Sequence, residues 1–233
     1  MLCSANHAAD MMSLEEARCD CSVTYGYLRC TAPKYQNRIS TLSSPTMWPD
    51  KIVRQFQAVP PNPKKSDFHG PYNKLLNTFF PPDSDFTVVP QYLQPSSRDS
   101  ADFIVCFEIY LKNLPVFIVE LKDPSAILQI STRGEADDQI RRRMGDLAGN
   151  CPLPILHAIS ALGTRLCFYR LDTTDLANSE IFPLPIARHP TRVNDYAPAA
   201  RWEYDVMEER GESNLRTVIQ EVIERCATLA ANA

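Results

Sequence analysis

The 233-residue sequence predicts an α/β protein of the α+β kind, one central mixed sheet flanked by helices. Three observations predict it. The middle of the chain reads helix, three strands, helix, two strands, a segregated order that fits α+β or a three-layer α/β/α sheet and excludes a (β/α) barrel. The four residues "KNLP" between the second and third strands leave room only for an antiparallel hairpin. Directly after that hairpin, Ala136, Ile140, Met144 and Leu147 form one stripe with charges elsewhere, the pattern of an amphipathic helix ending near Gly149.

Taken in order, residues 1–48 are polar and weakly patterned, and predict a poorly structured extension with a short capping box at Ser13 to Glu16. Residues 49–233 predict a single domain. Ile52, Val53 and Phe56 lie on one helical face, and the prolines of "VPPNPKKSD" stop that helix. Tyr72, Leu75, Leu76 and Phe79 recur at helical spacing and mark the first core helix. Strands follow over 85–93, 102–111 and 115–123, each rich in Val, Ile and Phe and bounded by turn residues. "PILHAISALGTRLCFYRLD" supplies two more strands meeting near Gly163. A proline-punctuated stretch over 183–200 runs on the surface, and a helix over about 213–230 closes the chain with Leu215, Val218, Val222, Cys226 and Leu229 on its stripe.

Composition narrows the function. At 44% hydrophobic residues the chain can fill a core, and a net charge of -4 argues against non-specific coating of nucleic acid, so any such contact needs a local basic patch. Eight cysteines are too sparse for a disulfide scaffold, and Cys106 and Cys167 sit inside apolar runs. With no basic start leading into an apolar stretch and no run of about 18 apolar residues, the sequence points to an intracellular protein with no membrane partner. Neither G-x-S-x-G nor a phosphate-cradling glycine loop occurs.

The run "PVFIVELKD" finishes on charge. Alternation puts Val116, Ile118, Glu120 and Lys122 on one face, and in the preceding strand Asp102, Ile104, Cys106, Glu108 and Tyr110 share a face. A turn centred near Lys112 and Asn113 places Asp102 opposite Lys122 or one pair beyond it, on the face of Glu120. Glu108 then lies on the order of 20 Å from Asp102 and is left out. Two carboxylates roughly 5 Å apart repel by about 3 kcal/mol at an effective dielectric near 20, more than one lysine offsets, and Mg²⁺ (or Mn²⁺) accepts such oxygens. A site of that make-up suits a phosphodiester, with the lysine orienting water or stabilising the transition state. The alternative for Glu-x-Lys alone is a solvated ion pair at a strand end.

The conjunction of Asp102 with Glu120-Leu121-Lys122, set in helix, three strands, helix, strand, resembles the PD-(D/E)XK nuclease superfamily and its restriction-endonuclease-like αβββαβ core, in particular uncharacterised fungal members. The resemblance covers about residues 66–172. It implies metal ligation by Asp102 and Glu120, catalysis by Lys122, and a place beside the site for Gln139 of the following helix. It further implies a Mg²⁺-dependent nuclease with nucleic acid as partner, DNA first, and leaves room for a homodimer. Ala101 stands where the superfamily commonly has proline, and the first core helix lacks the glutamate that many members use, with Asn73 or His69 as weak substitutes. That thinner ligand set keeps open a non-cleaving nuclease-fold protein acting as a binding or effector module.

Arg133, Arg141, Arg142 and Arg143 could grip phosphates, or form a solvated face balanced by Asp137, Asp138 and Asp146. Cys19, Cys21, Cys30 and His7 match no common zinc spacing. His157 reads as packed within a strand, and His189 has no partner that spacing reveals.

Overall fold

The computed structural model describes residues 48–93 and 104–231 of the chain. Residues 1–47, with His7 and four cysteines, and Asp102 lie outside the described residues, whereas Trp48, expected within the extension, is buried in the core. Helix α1 (Asp50–Gln57) buries Ile52 and Phe56, and helix α2 (His69–Phe79) follows a 3₁₀ turn over Lys65–Phe68. Pro71 falls in the first turn of α2, where a missing N–H costs nothing. Then come β1 (Phe86–Leu93), β2 (Ile104–Leu111) and β3 (Leu114–Lys122), a 3₁₀ turn over Pro124–Leu128, α3 (Ile130–Ala148), β4 (Ile155–Leu162), β5 (Arg165–Asp172), a 3₁₀ turn over Ala199–Trp202, the two-residue β6 (Tyr204–Asp205) and α4 (Glu209–Ala231).

The six strands form one sheet in chain order, antiparallel throughout except for the parallel pair β3 and β4. That exception has a cause: a parallel partner needs a crossover, and α3 supplies it. The predicted hairpin is present, with Lys112 and Asn113 at φ 50 and 70, the left-handed pair that a two-residue turn needs to match strand twist. Pro90 is accommodated because β1 is an edge strand. Gly163, at φ +65, makes the turn between β4 and β5.

Two apolar layers cover the sheet. On one face Ile52, Tyr72, Leu75, Leu76, Leu215, Ile219 and Val222 from α1, α2 and α4 meet Phe107, Ile109, Phe117, Val119 and Leu121. On the other face Ala136, Ile140 and Met144 of α3 meet Cys106, Ile118, Ala158 and Tyr169, with Trp202 beside them. Among the described residues no helix is long and apolar enough to cross a membrane.

Two expectations need correction. Val116 does not share the face of Ile118: the register shifts between Ile109 and Tyr110, so Val116 is the extra residue of a bulge and packs with the Phe117 layer. Helix α4 begins at Glu209, and Ile219 rather than Val218 is buried on it, while Leu229 is exposed. The 183–200 stretch is mostly exposed, as expected, with Ala197 packed into the α3-side layer and its carbonyl accepting from Arg133.

Candidate active site

Strand β3 carries Glu120 and Lys122 on the α3 side of the sheet. Their neighbours follow from the register: Glu120 faces Cys106 on β2 and Ser160 on β4, both buried. An acid between a thiol and a hydroxyl, beneath a helix, cannot reach water, and Glu120 is only 3% exposed. Burial raises its carboxyl from the usual 4.5 to about 7, even though Lys122, Lys65 and Arg142 all pull the other way. Its Oε1 lies 3.6 Å from Lys122 Nζ and, among the described residues, has no hydrogen-bond partner. A buried carboxylate oxygen without a hydrogen bond is rare, because the nearby charge returns only part of the cost of desolvating it.

Lys122 donates to Gln139 Oε1 on α3. The helix thus reaches across the end of β3 and holds the ammonium next to the acid, with Gln139 as its partner. Pairing from Val105↔Leu121 through Ile109↔Phe117 keeps a constant residue-number sum of 226. The residue directly opposite Glu120 is therefore Cys106, a buried thiol whose pKa burial pushes well up. Among the described residues no group of three or more His, Cys, Asp or Glu side chains is placed to hold a metal ion.

The four arginines divide sharply. Arg133 is buried and bonds the carbonyls of Ala197 and Ile127 and the carboxylate of Asp195. Arg141 grips Asp137 and the carbonyls of Ile181 and Pro183. Arg143 pairs with the buried Glu108. These three are spent inside the protein, so the expectation that they face phosphate fails for them. Arg142 alone of the four has its side chain exposed, and its charge reaches Glu120. Lys65, in the 3₁₀ turn ahead of α2, also acts on Glu120, from the opposite layer. The sequence reading passed it over, since nothing in "NPKKSD" signals that the turn packs against β3. Asn73 is exposed, with its carboxamide oxygen taken by Asn77. His157, read as packed, is 6% exposed and lies 3.4 Å from Glu221 of α4.

Glu108 was set aside for its distance from Asp102. Relative to Glu120 it is close: it pairs with Ile118, which puts it on the same face one step diagonal to Glu120, with Cys106 between.

No protein-family model, no curated protein and no solved structure matches this chain.

Proposed function

We propose that the protein is a metal-dependent nuclease hydrolysing phosphodiester bonds of nucleic acid, DNA first, on a restriction-endonuclease-like core. The single observation that carries the reading is the open Oε1 of buried Glu120 beside a lysine that Gln139 holds in place. Glu120 and Asp102 would hold Mg²⁺ or Mn²⁺. When bound, that ion polarises the phosphate and acidifies an attacking water. Lys122, held in one position, orients the water and meets the charge that develops on the phosphoryl oxygens, an effect that grows where bulk water is excluded. Arg142, exposed on α3 with its charge reaching Glu120, attracts the phosphate backbone. The element order α2, β1, β2, β3, α3, β4 agrees with the αβββαβ core.

A second reading has its own support: Cys106, not a carboxylate, stands opposite Glu120. With Glu108, the other described acid on that face, already paired to Arg143, such a protein would bind nucleic acid or protein without cutting.

The test is incubation with plasmid, single-stranded DNA and RNA, with Mg²⁺ or Mn²⁺ and with chelator, beside a Mn²⁺ titration of wild type and Glu120→Ala. Chelator-sensitive cleavage lost in Glu120→Ala supports the nuclease. Absence of both cleavage and metal binding favours the binding module. Full-rate cleavage by Lys122→Ala would remove that lysine from the mechanism.

A further inference from the structure

Glu108 is fully buried, and both of its oxygens are used: Oε1 accepts from Arg143, while Oε2 accepts from the Tyr110 hydroxyl at 2.5 Å and from Gln91 Nε2 at 3.2 Å. Burial and this bond to Glu108 push the Tyr110 hydroxyl up to about 12, so it stays a donor. Arg143 lies on α3 four residues after Gln139, so the two side chains leave the helix on the same side one turn apart. One turn clips α3 to Lys122 of β3, and the next clips it to Glu108 of β2.

Between and beside these clips α3 offers the sheet Ala136, Ile140 and Met144. Apolar burial has no direction, so such a stripe holds the helix down without fixing its rotation closely. A buried ion pair does the reverse. It adds little or no stability over apolar residues of the same volume, yet it accepts one geometry only.

We propose that Glu108 and Arg143 are positioning residues that set the rotation of α3, so that Gln139 holds Lys122 against Glu120. The functional meaning rests on the nuclease reading, but the geometry is tested without cleavage. The experiment compares acetylation of Lys122 by an amine-acylating reagent in the folded protein, followed by peptide mass spectrometry, with Lys112 of the exposed hairpin turn as internal standard.

In Glu108→Leu/Arg143→Leu, with thermal unfolding at or above that of wild type, Lys122 should be acetylated about tenfold faster, as loss of a hydrogen bond to a charged group implies. Gln139→Leu should give the same acceleration, and the triple variant should add nothing further. Wild-type acetylation in the folded double variant, or additive effects in the triple, overturns the proposal. Should the double variant not fold, Arg143→Met is set against Arg143→Lys. The methionine should unmask Lys122 while the lysine keeps it masked, and equal rates overturn the proposal. Where wild type cleaves, the double variant should lower kcat and leave KM unchanged. A protein that does not cleave but gives the acetylation pattern refutes the nuclease and keeps the positioning pair.

Discussion

Glu120→Gln removes a charge from a place that water cannot reach while keeping the shape of the side chain. In the folded protein the Glu120 carboxyl titrates at about 7, against 4.5 ordinarily, because burial disfavours its charged form. The folded state therefore binds more protons than the unfolded chain between those two values, and stability falls as pH rises through that window. At ~1.4 kcal/mol per pH unit the gap from 4.5 to about 7 comes to about 3 kcal/mol, lost in full above pH 7. Glutamine does not titrate and escapes the loss. Urea unfolding at pH 4 should give nearly equal stabilities for the two proteins, whereas at pH 8 the variant should be the more stable by about 3 kcal/mol, roughly 6 to 12 °C in Tm. Taking the difference between the proteins cancels other groups such as His157, which burial holds below 6.5 and which titrates in both. On the nuclease reading, Mn²⁺ at pH 8 closes part of the gap by stabilising wild type alone. Parallel stability curves from pH 4 to 8 would refute the burial argument and remove the physical ground for a poised site at Glu120.

Further predictions concern the frame around the site. A Cβ on Gly211 would overlap the carbonyl of Asp205, backbone that cannot swing aside, so Gly211→Ala should cost about 3 kcal/mol in urea unfolding. Gly145→Ala, within α3 and with nothing near a new Cβ, should instead stabilise by about 1 kcal/mol in the same assay. Asp137 accepts from Arg141, Arg201 and Tyr169, so Asp137→Ala strands two guanidiniums and should cost about 3 to 5 kcal/mol, with faster proteolysis near 181–184, the segment those arginines tie down.

By itself the sequence determined the elements and their local geometry. Val-, Ile- and Phe-rich runs bounded by turn residues marked β1 to β5, helical apolar spacing marked the core helices, and the short link KNLP made the β2–β3 pair antiparallel, because so short a connection permits nothing else. Alternation, a property of the chain alone, also placed Glu120 and Lys122 on one face, whereas Gln139 was expected nearby only from the resemblance, and its bond to Lys122 is a contact between α3 and β3. Partner choice across long separations belonged to the tertiary structure. Arg133, Arg141 and Arg143 look alike on a helix, and only the packing of 181–197 and of β2 against α3 turned them inward and left Arg142 outside. The bulge at Val116 and the burial of Glu108 were likewise decided there, because which acid lies deep and which cation answers it depends on distances that no local pattern encodes.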